Sequence, residues 1–397
     1  MAGRPTTPRI GAMTGIPPFH VVIAGGGIAG LETLLTLHEI AGDSLALTLV
    51  EPRSELVLRA LEPAAPFGAG EAGRVSIDDV AATAGAQVVC SALEQVDPDA
   101  QTIRTRDGRR LDYDALVVAV GARPVAAVRS ALTWWPDGAA EAFTRLLADA
   151  DRGRVGRIAF VVPSRYAWQL PAYELALMTA RRLERAGRRA DLRIITPEPA
   201  PLAIFGAVGS AAVTRELDDA GVAFSGNAIA AVRGDERVVV EVWPGSRRFA
   251  VDRVVALPRA YGPDITGLRA DIEGFLVTDD RCRARGTRNV WAVGDATNKL
   301  PKHGGLAARH ADCAAQEIAA LAGSSVAGSP YVPLLRAQLR TGRRSLWLQR
   351  DISDPLDAGA AGHVPLWSPS GKIAARRLGA LLAAYDEPAG LRLAQTV

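Results

Sequence analysis

Lysine is nearly absent from this chain. Among 397 residues it occurs only at Lys299, Lys302 and Lys372, so arginine carries almost all the positive charge. With alanine also abundant, that bias reads as genome composition rather than function. Neither sign of charge dominates: 46 basic residues face 43 acidic ones, and this balance gives no support for a nucleic-acid footprint, which needs clustered basic residues. No apolar run reaches about 18 residues, so no transmembrane helix is expected. The opening "MAGRPTTPRIGAMTGIPP" lacks the apolar stretch of a signal peptide. Residues 1–17 are expected to form a disordered tail, and the protein is expected in the cytoplasm. Cysteine is sparse too, at Cys90, Cys282 and Cys313, with no C-x-x-C or metal-ligand spacing. That excludes a disulfide framework, gives no metal site and favours a reducing compartment.

What is present is ordinary globular material. It is 48% hydrophobic and long enough for two or three domains. The stretch "FHVVIAGGGIAGLETLLTLHEI" reads as an apolar strand, a glycine turn and a helix, and "LALTLVE" at 45–51 as a second strand. In Gly25-x-Gly27-x-x-Gly30 the first glycine permits the tight turn. The second lets backbone approach a pyrophosphate, and the third lets the helix pack closely. The helix N-terminus adds unpaired N–H groups and positive partial charge. Glu51, 21 positions after Gly30, matches the acid that takes ribose hydroxyls.

A second strand–turn–helix, "RIAFVVPSRYAWQLPAYELALMTARRL" at 157–183, has no glycine in its turn. Pro163 stands where the first glycine belongs, removing a donor N–H, and Arg165, Tyr166, Ala167 and Trp168 add bulk. The helix is expected to start near Pro171. The scaffold is kept and the phosphate cradle is lost. Arg165 and Glu198, which ends the following strand, are expected in a solvated loop.

Two further segments carry a resemblance. "YDALVVAVGARP" is similar to the strand-to-glycine return, and "TRNVWAVGDAT" to the terminal motif, of two-dinucleotide flavoproteins. With "PKHGGLAARHADCAA", the chain resembles the FAD-dependent pyridine nucleotide-disulfide oxidoreductase superfamily. Within it the likeness is to the type II NADH dehydrogenase and sulfide:quinone oxidoreductase group, over roughly 18–325. The resemblance implies an α/β fold of two Rossmann-like, three-layer ββα domains, the second inserted in the first, plus a C-terminal extension. The expected division is 18–130 with 264–328 for FAD, 131–263 for a degenerate NAD(P)-binding-like insert, and 329–397 for the extension. Non-covalent FAD is implied, held by Gly25, Gly27, Ile28, Ala29, Gly30, Glu51, Pro52, Arg53, Ala119, Gly121, Gly294, Asp295, Gly305 and Leu306. NAD(P)H is a doubtful cofactor.

Lys302 and His303 are the catalytic candidates, as a cation beside the reduced ring and a proton relay near neutral pH; their alternative is an exposed loop. The related sulfide-oxidising enzymes use a cysteine pair beside the flavin, and this chain departs from that pattern. Cys90, in a strand, and Cys313, in a helix, are expected to be small buried apolar groups, and cysteine chemistry is expected to be dispensable. A basic amphipathic helix is expected over 372–385. It has two readings: packing on the flavin domain or a homodimer partner, or peripheral contact with an anionic membrane. The function expected is electron transfer from a small donor to a quinone-like acceptor. An NAD(P)H-dependent reductase with an unusual turn, and a flavin-bound sensor, are the alternatives.

Overall fold

A computed structural model of the chain describes residues 18–386, apart from 70–72, 136–137, 234–237, 246 and 369. The expected tail at 1–17 lies outside the described residues. The chain opens with β1 (Phe19–Ala24), α1 (Ile28–Ala41), β2 (Leu45–Val50), β3 (Gln87–Val89) and β4 (Ala115–Val118). A second series follows: β5 (Leu132–Thr133), α2 (Ala139–Asp151), β6 (Arg157–Val161), α3 (Leu170–Arg185), β7 (Asp191–Ile195), α4 (Gly206–Ala220), β8 (Val222–Ser225) and β9 (Arg253–Ala256). The chain then returns through β10 (Val290–Ala292) to α5 (Gly304–Leu321), and ends in β11 (Leu334–Arg340), β12 (Ser345–Asp351), β13 (Ala360–Gly362) and α6 (Arg377–Asp386).

Two five-stranded sheets result, in the orders β10-β4-β1-β2-β3 and β5-β9-β6-β7-β8, every pairing parallel. Strands covered on both faces are apolar almost throughout: all four residues of β4 are buried, as are four of the five in β6. The second series lies between β4 and β10 of the first, so one α/β unit is inserted in the other. Each sheet is backed on one face by helices and on the other by a three-stranded antiparallel meander, over 93–112 in the first unit and 229–251 in the second. Val22, Val118 and Ile103 fill the first sheet–meander layer; Val161, Val240 and Val242 fill the second. This is the three-layer ββα arrangement that the sequence implied, twice over.

The C-terminal stretch departs from expectation. The amphipathic helix starts at Arg377, not at 372. Ile373 and Ala375 enter the core of the first unit, and the Lys372 ammonium is drawn to Glu174 of α3 and to the Gln338 carbonyl, 2.8 Å away. The helix docks on α1, where the wholly buried Glu32 carboxylate accepts from the N–H groups of Arg376, Arg377 and Leu378 at 2.7–3.0 Å. Its basic residue Arg377 is occupied by Glu39 and Asp312. Packing on the first unit therefore accounts for this face. Cys90 also differs from expectation: it follows the end of β3 and is exposed, because the strand stops one residue short of it.

Candidate active site

The glycine turn leaves β1 through Gly25, at φ +112°, where an added Cβ would meet the Ala119 carbonyl oxygen at 2.4 Å. At Gly30 the Gly25 oxygen would lie only 1.8 Å away. Gly27 is different: nothing lies within 4 Å of its Cβ position. It borders a cavity of about 440 Å³, and α1 begins at the next residue with its unpaired N–H groups at that edge. Behind the turn, Glu51 accepts from the Gly26 N–H at 2.5 Å and is bridged by Arg53 at 2.8 Å. Burial alone would raise this carboxyl, but Arg53 and the Gly26 N–H hold it below the usual carboxylate range.

Of the residues singled out from sequence, Gly27, Ile28, Ala29, Arg53, Ala119, Gly121, Gly294, Asp295, Lys302, His303 and Gly305 line this one cavity. Gly25, Gly30, Glu51 and Leu306 are buried outside its lining, and Pro52, also outside it, is exposed. Gly294, at φ +67°, turns the chain after β10 so that Asp295 faces the cavity, half-buried. Burial pushes the Asp295 carboxyl up, against the opposing pull of the Lys302 ammonium and the His303 N–H.

Lys302 and His303 are buried, not loop residues in solvent. The Lys302 ammonium donates to the Thr297 and Lys299 carbonyls and stands 3.6 Å from the Phe275 ring centroid. Desolvation lowers it to about 8, although Asp295 and Asp271 favour its charge. His303 caps α5: its Nδ1 accepts from the Leu306 N–H at 3.3 Å, so Nε2 carries the ring proton. Burial, reinforced by Lys372, brings this imidazole down to about 4. It is therefore neutral at pH 7, which corrects the expectation of a relay titrating near neutrality.

The inserted unit supplies a wall that the sequence reading did not assign to the site. From the turn that opens at Pro163, Tyr166 stacks on Phe275 (centroids 5.5 Å, planes 19° apart), and Trp168 meets the His303 ring at 4.6 Å. α3 starts at Leu170 with Pro171 in its first turn, as expected. Arg165 is exposed. Glu198 is not: it is buried against Tyr173 and Thr196 (2.8 and 3.0 Å), and desolvation raises it to about 7. The solvated-loop expectation fails there because the α3 tyrosine reaches over to cover the end of β7. Trp134 and Trp135, which follow β5 of the inserted unit, complete the wall with Glu174 and Lys372. A Trp pair in a loop has no motif spacing, so sequence alone gave no signal for them. None of the three cysteines lines the cavity. The donor set therefore fits a dinucleotide flavin: open space at Gly27, helix N–H groups, a buried acid behind the turn, and Asp295 across the cavity.

The fold and the site define a class, and the likeness is to the pyridine nucleotide-disulphide oxidoreductases and, among them, to the sulfide-quinone reductase-like group. The chain is an FAD-dependent oxidoreductase with non-covalent FAD. A family profile described as pyridine nucleotide-disulphide oxidoreductase matches residues 18–158. The sulfide-quinone reductase of Aquifex aeolicus (strain VF5) is 26% identical over 306 residues, spanning 70% of this chain and 68% of that protein. The solved sulfide:quinone oxidoreductase of A. aeolicus superposes with a TM-score of 0.78 at 20% identity, covering 87% of each chain. Putidaredoxin reductase, solved in complex with putidaredoxin, gives 0.60 at 20% identity over 83% and 81%. An NAD-dependent persulfide reductase from A. fulgidus gives 0.60 at 19% over 83% and 64%.

Proposed function

We propose that this protein passes two electrons from a small donor, through FAD, to a quinone-like acceptor. The observation that carries this reading is the continuity of one cavity. The glycine turn, Asp295 and the start of α5 border it at one end. Leu56, Trp134, Trp135, Trp168 and Leu257 give it an apolar, aromatic wall of the kind that suits a quinone ring.

When bound, FAD supplies a ring that takes up an electron pair and releases it. The chain's residues hold and tune it. Gly27 and the first N–H groups of α1 receive the pyrophosphate, with Gly25 and Gly30 shaping the turn. Glu51, between Pro52 and Arg53, takes ribose hydroxyls. Ile28, Ala29, Ala119 and Gly121 pack against the cofactor. Asp295, after Gly294, accepts from polyol hydroxyls. Gly305 and Leu306 present the α5 N-terminus to the ring. Lys302 offsets negative charge, and His303 fixes the start of α5. No cysteine borders the cavity, so the donor is oxidised without a thiol partner from the described residues. The same reading divides the chain into 18–130 with 264–328, an insert at 131–263 and an extension from 329. A lipid-soluble acceptor has the protein working at a membrane surface, although no helix among the described residues is long and apolar enough to cross one.

The test is to reduce the holoenzyme anaerobically with dithionite, remove the excess and mix with a short-chain soluble quinone. The flavin absorbance band should return within turnover times, saturating with quinone. Slow, non-saturating return would favour a flavin-bound sensor.

A further inference from the structure

His310 sits in the second turn of α5, outside the cavity lining, and is 4% exposed. Its imidazole Nδ1 accepts from the Gly294 N–H at 3.2 Å, so Nε2 carries the ring proton. That Nε2 has no hydrogen-bond partner among the described residues. Burial, reinforced by Lys299 and Lys302, lowers the imidazole to about 3. The ring is therefore neutral at pH 7, and Nδ1 keeps its lone pair. Tyr331 packs against it, with ring centroids 4.2 Å apart. An apolar side chain would fill this space without burying an orphaned N–H, which is costly. What the histidine supplies in return is the acceptor.

Gly294 needs that acceptor. It is buried at φ +67°, and a Cβ there would stand 3.0 Å from Ala29 Cβ and 3.4 Å from Ala307 Cβ. The turn is thus pressed between α1 and α5. Its carbonyl accepts from Thr297 Oγ1 at 2.9 Å, and its N–H is held by His310. The next residue is Asp295, whose carboxylate accepts from the His303 N–H. So α5 and its cap grip the turn at two points: His310 holds the backbone before Asp295, and His303 holds the carboxyl.

We infer that His310 is a positioning residue for the cofactor: its Nδ1 fixes the Gly294 peptide and so aims Asp295 at the polyol chain of FAD. The inference rests on the reading of Asp295 given above. Without the acceptor, a buried N–H must find another partner, and the peptide rotates to do so. That rotation carries the Asp295 carboxylate away from the polyol hydroxyls.

The test follows FAD release. Holoenzyme is diluted to nanomolar concentration, and the rise in flavin fluorescence gives the dissociation rate. His310→Leu removes the acceptor and should release FAD about tenfold to a hundredfold faster. His310→Asn puts an amide oxygen near the place of Nδ1 and should bring release back to within about threefold of the wild type. Asp295→Ala should also release FAD faster. Adding His310→Leu to it should change the rate little, because the histidine acts through that carboxylate. A packing role would instead favour leucine over asparagine and would add to the effect of Asp295→Ala; either result would overturn the inference. Should His310→Leu not fold, His310→Met takes its place, since a thioether is only a weak acceptor. Unchanged release in the leucine or methionine variant, beside faster release in Asp295→Ala, would overturn the inference alone. Unchanged release in Asp295→Ala would overturn the reading of Asp295, and the inference with it.

Discussion

Lys302 concentrates most of the site's electrostatics in one atom. Its ammonium is buried over Phe275 and near Asp295, and desolvation brings it to about 8 against an ordinary value of about 10.4. The sign follows directly. Below about pH 8 the side chain is charged and offsets negative charge in the cavity; above it the charge is lost. The flavin midpoint potential of the holoenzyme should therefore fall more steeply with pH above about 8. Lys302→Met should lower the potential at pH 7, on the order of tens of millivolts, and converge with the wild type near pH 9. Lys302→Arg should keep the high-pH potential up. Spectroelectrochemical titration of the three proteins decides it, and parallel curves would remove Lys302 from the site. At Gly27 the expectation is sharper. A Cβ there meets no protein atom, so Gly27→Val should fold with an unchanged far-UV spectrum yet purify without FAD. A yellow Gly27→Val protein would mean that the pyrophosphate lies elsewhere.

Among the elements, the two βα turns carry the functional contrast. The first keeps open space at Gly27. The second opens with Pro163, and its Tyr166 and Trp168 pack onto Phe275 and His303, sealing the inserted unit against the first. Hydride transfer needs the donor within about 3–3.5 Å of its target, and misplacement is costly. NADH and NADPH should accordingly reduce the flavin slowly even at millimolar concentration. Anaerobic stopped-flow reduction is the check, and bleaching that saturates at micromolar nucleotide would refute it; Arg165 would then be the first residue to mutate. These turns were legible because glycine and proline act on local backbone, which sequence records directly. The fully apolar runs of β1, β4 and β6 were legible for the same local reason. The burial of Cys282 was not, since it depends on a left-handed residue folding a polar turn into the core. The 372–385 pattern misled because its period is helical, while Lys372 is pulled out of register by Glu174. Burial of Lys302, His303 and Glu198 was equally hidden, because the rings that cover them, Phe275, Trp168 and Tyr173, stand well apart from them in the sequence.

Across the whole molecule, the C-terminal extension holds the two units together. Glu174 comes from the insert and Lys372 from the extension, with side-chain exposures of 1% and 5%, and the Arg340 N–H also donates to Glu174 at 2.8 Å. Removing one partner of a buried pair leaves an uncompensated charge, which costs about 3–5 kcal/mol. Lys372→Met should therefore lower the holoenzyme's stability by that order in urea titration. The double variant Glu174→Gln with Lys372→Met should recover most of the loss, since it buries no charge. A double variant no better than the single one would show that the ion pair is not what joins these parts.

The Glu32 carboxylate also has a consequence in time. Its backbone partners at Arg376, Arg377 and Leu378 follow it by 344 to 346 residues. At roughly 5–20 residues per second, a ribosome delivers them about 20–70 s after Glu32 itself. Through that interval the buried acid of α1 has no cap from its own neighbourhood. The unit that holds it is closed only once Leu378 has been made.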